Sequence, residues 1–96
     1  MKAAFIAYNQ AFVEEVEQVL HQLNLRGYTR WTDVQGRGTS NGEPHLGSHA
    51  WPGKNMATLC ICDDNIAPIL KKRIQALDHS APEQGIRVFF WETMDV

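Results

Sequence analysis

Lys2-Ala3-Ala4-Phe5-Ile6-Ala7-Tyr8 (KAAFIAY, residues 2–8) is apolar at nearly every position. A strand with one wet face alternates apolar and polar residues, so an unbroken run predicts a strand buried on both faces. Asn9 follows as a helix N-cap. From Gln10 to Leu25 the apolar residues Phe12, Val13, Val16, Val19, Leu20 and Leu23 fall on one helical stripe, with Glu14, Glu15, Glu17 and Gln18 opposite. Gly27 is the expected stop. Tyr28–Gln35 (YTRWTDVQ) has aromatic and β-branched strand composition, but Arg30 and Asp33 place it nearer a sheet edge.

Asn55–Asp63 (NMATLCICD) repeats the two-faced apolar pattern, with Ala57, Leu59 and Ile61 on one side and Thr58, Cys60 and Cys62 on the other. Asp64 or Asn65 is positioned to cap a second helix with inward residues Ile66, Ile69, Leu70, Ile74 and Leu77, ending near Asp78; Pro68 is tolerated in its first turn. Pro82 and Gly85 then lead into a last strand, Ile86–Trp91 (IRVFFW). The order β-α-β-β-α-β is that of an α+β, ferredoxin-like fold, a four-stranded antiparallel sheet with two helices on one face. Two helices leave the other sheet face uncovered. Because the first and third strands are apolar on both sides, that face is expected to pack against further subunits in a homo-oligomer.

Ninety-six residues, 44% hydrophobic and 21% charged, make one domain spanning 1–96. A formal charge of -2 lacks the broad basic footprint of a nucleic-acid binder, so no nucleic-acid partner is expected. The apolar run Ala3–Tyr8 is too short for a secretory or membrane-spanning segment, which reads as cytoplasmic with no direct membrane insertion. Cys60 and Cys62 would lie ~6.6 Å apart on one strand face by the strand rise, a poor geometry for a mutual disulfide. They read as free thiols of a reducing compartment.

Residues 36–54 (GRGTSNGEPHLGSHAWPGK) hold five of the seven glycines in a 19-residue loop. Loops beyond about 12–15 residues in a compact domain are commonly functional. Its net charge is +1 (Arg37 and Lys54 against Glu43), while residues 1–35 sum to -1 and 55–96 to -2. A basic, glycine-rich loop on an acidic body invites an anion, and Gly36 and Gly38 would let backbone N–H groups approach a phosphate beside Arg37.

These residues together resemble the PII signal-transduction superfamily, which takes in nitrogen regulatory protein P-II and CutA-like proteins. The likeness rests on Val34-Gln35-Gly36-Arg37-Gly38 at the exit of the second strand, the long loop, the acidic end of the third strand (Cys62-Asp63-Asp64), and Gly85-Ile86-Arg87-Val88-Phe89. It implies a homotrimer with inward-facing sheets and a T-loop, here 36–54, that docks on a regulated partner such as a membrane transporter. It also implies adenine nucleotide (ATP, ADP or AMP) sensed at clefts between subunits. By that resemblance Gly36, Gly38, Gly85 and Arg87 are the nucleotide-binding candidates, joined by Arg37, which lies between the first two glycines where the family commonly has an aromatic or aliphatic residue. The T-loop has no tyrosine, so nucleotidylylation of the enteric type is not expected.

Two other chemistries compete. His45 and His49, with Cys60 and Cys62 on the next strand, are ligand types for a soft or borderline metal ion, and PII-like and CutA proteins are associated with metal tolerance or efflux. Against this, Pro44 and Gly47 oppose the helix that would bring the two histidines together. An acylphosphatase-like hydrolase is the lesser alternative, because its anion cradle follows the first strand, not the second. No positioned acid or nucleophile elbow accompanies Ser40 or Ser48, so ligand binding without catalysis is expected. Trp51, before Pro52, is either an anchor for a partner protein or a residue tucked against its own subunits. Trp31 and Trp91 are expected on a sheet face, and Lys71, Lys72 and Arg73 on a solvated helix face.

Overall fold

A computed structural model describes residues 1–36 and 54–94. They form strands β1 (Lys2–Asn9), β2 (Tyr28–Val34), β3 (Asn55–Cys62) and β4 (Ile86–Glu92) with helices α1 (Val13–Gln22) and α2 (Ala67–Ser80), in the expected order. The sheet runs β2-β3-β1-β4, and every neighbouring pair is antiparallel. The two apolar strands are therefore central. β2, with its charged residues, is an edge strand exposed from Tyr28 to Asp33.

Both helices cover one sheet face. Ala4, Ile6 and Tyr8 of β1, Met56 and Cys60 of β3 and Ile86 of β4 pack with Val16 and Leu20 of α1 and Leu70 and Ile74 of α2. Residues as fully buried as Leu70 and Ile74 each contribute roughly 1.5–3 kcal/mol of apolar transfer. Thr58 is the buried polar residue in this layer, and its hydroxyl meets the Tyr8 hydroxyl at 2.8 Å. Burial raises the Tyr8 phenol above its ordinary value, so it stays protonated and the pair is satisfied.

Local chemistry sets the helix ends, in part differently from the sequence expectation. Asn9 does cap the first helical segment, its side chain accepting from the Ala11 N–H at 2.8 Å, but Gln10–Phe12 form a 3-10 turn before α1 begins. Gly27 does not stop α1. Asn24 takes the left-handed conformation at φ 60°, and the Asn24 and Leu25 N–H groups bond to the His21 and Leu20 carbonyls at 3.0 and 2.8 Å. This is a Schellman closure with asparagine in glycine's usual place, sealed by Leu23 and Leu25 against the core. At α2 neither Asp64 nor Asn65 caps by its side chain. The Asp63 carbonyl takes the Ile66 and Ala67 N–H groups, Asp64 pairs with the Met1 amine at 3.3 Å, and the helix runs on to Ser80.

The uncovered face is apolar, row by row. Trp91, Ala3 and Ile61 lie side by side, then Phe89, Phe5, Leu59 and Thr29, then Arg87, Ala7, Ala57 and Trp31. Trp31, Ile61, Phe89 and Trp91 are 45%, 46%, 57% and 48% exposed in the single chain. Both tryptophans thus stand on the sheet face, as expected. No helix among the described residues is long and apolar enough to cross a membrane.

Candidate functional site

The antiparallel order brings four chain segments to one end of the sheet: the end of β1, the start of β3, the end of β2 and the start of β4. The pairings Asn9 with Asn55, Tyr8 with Ile86, and Val34 with Asn55 fix this end. Two backbone bonds close it, Gln10 N–H to the Lys54 carbonyl at 2.8 Å and Asn9 N–H to the Gly85 carbonyl at 3.2 Å. Gly36, Gly85 and Arg87, far apart in sequence, consequently gather at the sheet end from which residues 37–53 depart. Arg37, Gly38, His45, His49 and Trp51 lie outside the described residues.

The two glycines have different reasons to be there. Gly85 sits at φ +82°, where a side chain is strained, and its carbonyl ties β4 to β1. Gly36 has no such need: a Cβ there would meet the Asn55 side-chain nitrogen at an ordinary 3.8 Å. What Gly36 offers is a position in a β-bridge at the loop's base with no side chain over the backbone. Arg87 stands on the uncovered sheet face, exposed, beside Ala7, and among the described residues it has no carboxylate partner. An exposed, unpaired guanidinium is ready for a carboxylate or phosphate.

The register adds residues that the sequence reading did not assign to this end. Lys54 pairs with Asp33 at 3.8 Å across the loop's base, and Asn55 lies opposite Val34. Asp33 itself is left-handed at φ 56°, within a bulge where Trp31 pairs with Ala57 but Val34 with Asn55. The left-handed region costs an L residue roughly 1–2 kcal/mol, with Asp and Asn among the least penalised. No composition signal marks this bulge, because Asp33 reads equally well as an ordinary edge residue.

Other candidates separate from this end. Cys60 and Cys62 are free, face the helices and are buried. Burial pushes the Cys60 thiol up to about 11 and raises Cys62 as well, whereas a metal-binding cysteine must be a thiolate. Among the described residues no group of three or more His, Cys, Asp or Glu is arranged to hold a metal. The acylphosphatase reading requires an anion loop after β1, yet β1 passes straight through Asn9 into the 3-10 turn. One surface depression lies on α2 beside Lys72, Asp78 and His79; another, lined by Ala11, Phe12, Leu77 and Gln84, adjoins this sheet end on its helical side.

A ferredoxin-like sheet whose second and third strands are joined by a long loop defines the PII-like class of fold. No protein-family model and no curated protein matches the sequence. Solved structures do match, PII-like proteins among them. One is CPII, a nitrogen regulatory PII-like protein from Thiomonas intermedia K12 bound to ADP, AMP and bicarbonate, with 17% identity, a TM-score of 0.77 and coverage of 94% of this chain and 82% of that one. The apo form of CPII matches with 16% identity and a TM-score of 0.68 over 94% and 87% of the two chains. A PII-like signaling protein from Thermus thermophilus matches with 19% identity and a TM-score of 0.65 over 94% and 83%.

Proposed function

We propose that this protein is a PII-like regulator, not an enzyme, that binds an adenine nucleotide (ADP, AMP or ATP) at the sheet end holding Gly36, Gly85 and Arg87. The observation that carries this reading is the convergence, where the long loop leaves the sheet, of a glycine and an arginine that has no carboxylate partner among the described residues. The PII-like fold and the nucleotides bound to CPII support it. In the protein as it works, the uncovered apolar faces pack against one another in a homotrimer, so each nucleotide lies at a cleft between subunits. Arg37 and Gly38 complete the phosphate contacts. Loop 36–54 acts as the T-loop and docks, with Trp51 as an anchor, on a partner protein in the cytoplasm or on the cytoplasmic side of a membrane transporter. Ligand contacts at the loop's base select one of the loop's conformations, and the partner binds only that population.

The test is thermal unfolding of the purified oligomer, its mass measured by sedimentation, against ATP, ADP, AMP, cyclic AMP, zinc and copper. A ligand of the native state at 100 times its Kd stabilises by about 2.7 kcal/mol. A trimer mass and a shift with adenine nucleotide are expected. A shift with zinc or copper alone would transfer the site to His45 and His49, and a monomer with no nucleotide shift would overturn the reading.

A further inference from the structure

The bulge at the end of β2 decides which way the chain faces as it enters the loop. Trp31 and Ala57 are partners on the uncovered face, and β3 advances two residues from Ala57 to Asn55, back to that same face. Over that interval β2 advances three residues, from Trp31 to Val34. The extra residue brings Val34 opposite Asn55 on the uncovered side, whereas strict alternation would put Asp33 there and turn Val34 toward the helices. Val34 therefore owes its facing to the bulge, within which Asp33 stands at φ 56°.

We infer that the end of β2 is a two-register switch hinged at Asp33. Glycine at this position would hold the bulge without opposition; a β-branched residue would flatten it; aspartate lies between, so the two registers are close in free energy. One contact favours the bulged form, the Asp33 carboxylate against the Lys54 ammonium at 3.8 Å across the loop's base. A phosphate-bearing ligand at the Gly36–Arg87 end competes for Lys54, releases Asp33 and moves the population toward the flat register. The ligand-coupled half of this inference rests on the nucleotide reading above; the existence of the two registers does not.

The experiment is methyl NMR of the full chain, free and with ADP, in wild type, Asp33→Gly and Asp33→Ile, with Asp33→Ala as a milder variant should the isoleucine form fail to fold. In the free wild type and in Asp33→Gly, the Val34 methyls are expected to show contacts to Ala57. In Asp33→Ile those contacts are lost and contacts to Met56 appear, and saturating ADP moves the wild type the same way. ADP is expected to bind Asp33→Gly about tenfold more weakly than Asp33→Ile, since a locked register removes or supplies the competent population. Retention of the Val34–Ala57 contacts in Asp33→Ile and Asp33→Ala would overturn the switch. Binding of ADP with no change of register in the wild type would overturn its coupling. If no variant binds ADP, the nucleotide reading fails, while the register contacts still decide the switch.

Discussion

The two ends of the sheet are built from the same four strands and finished differently. At the end where β1 begins, the chain meets itself: the Met1 amine pairs with Asp64, Lys2 pairs with Glu92, and Thr93 donates through both its backbone and its hydroxyl to the Met1 carbonyl. At the opposite end Arg87 has no carboxylate partner among the described residues, Gly36 puts no side chain at the loop's base, and β2 is bulged. A self-satisfied end closes a fold. An end with a cation that no described carboxylate meets is suited to an anion from outside the chain.

Substitutions separate those roles, and the largest effect is expected at Gly85. Placing a side chain at its φ of +82° in Gly85→Ala should lower stability by roughly 1–2 kcal/mol in denaturant unfolding. An unchanged midpoint would mean that the turn before β4 is not fixed by that dihedral. At the closed end, Lys2→Ala should cost no more than about 1 kcal/mol, because its pair with Glu92 is largely solvated. That loss should shrink in high salt; a larger, salt-independent loss would mean the two ends are not distinguished by solvated charge pairing. Gly36→Ala should leave stability within about 0.5 kcal/mol, as is usual for surface changes, yet weaken thermal protection by ADP. Equal protection in Gly36→Ala would remove that glycine from the ligand's path.

The last effect, confined to alkaline pH, concerns the core that both ends share. The Cys60 thiol is raised from an ordinary value near 9 to about 11 by burial, so the folded state holds its proton where the unfolded state releases it. Its contribution to stability is complete below pH 9 and is lost as pH rises from 9 toward 11. Cys60→Ala should flatten that part of the stability curve, measured by urea unfolding across the interval. A curve as steep as the wild type's would assign the alkaline loss to other groups, Tyr8 first among them.

Much of this was legible in the residues because burial writes itself into composition. Strands apolar on both faces, KAAFIAY and NMATLCIC, had to lie at the centre of a sheet, and a charged YTRWTDV had to lie at its edge. Asn9 showed as a cap because the cap lies in one residue type at one position. What escaped depends on a dihedral or a register, not on residue type. Asn24 and Gly27 both suit a left-handed stop, and the choice fell to Asn24, where Leu23 and Leu25 could reach the core. The bulge at Asp33, and with it the meeting of Asp33, Lys54 and Asn55 at the loop's base, follows from strand pairing that no local pattern announces. Of the candidate site, Gly36, Gly85 and Arg87 were named from the family likeness and do reach one sheet end; Arg37, Gly38 and Trp51 lie beyond the described residues.

In the proposed function the open end of the sheet, and not the closed one, receives an adenine nucleotide. Calorimetric titration of ADP into wild type, Arg87→Ala and Lys2→Ala tests it most directly, with each oligomer's mass checked first. Saturable binding is expected in the wild type, with the same affinity in Lys2→Ala and at least a tenfold loss in Arg87→Ala, about 1.4 kcal/mol or more. Equal ADP affinity in Arg87→Ala and wild type, or no binding to the intact oligomer at all, would contradict it.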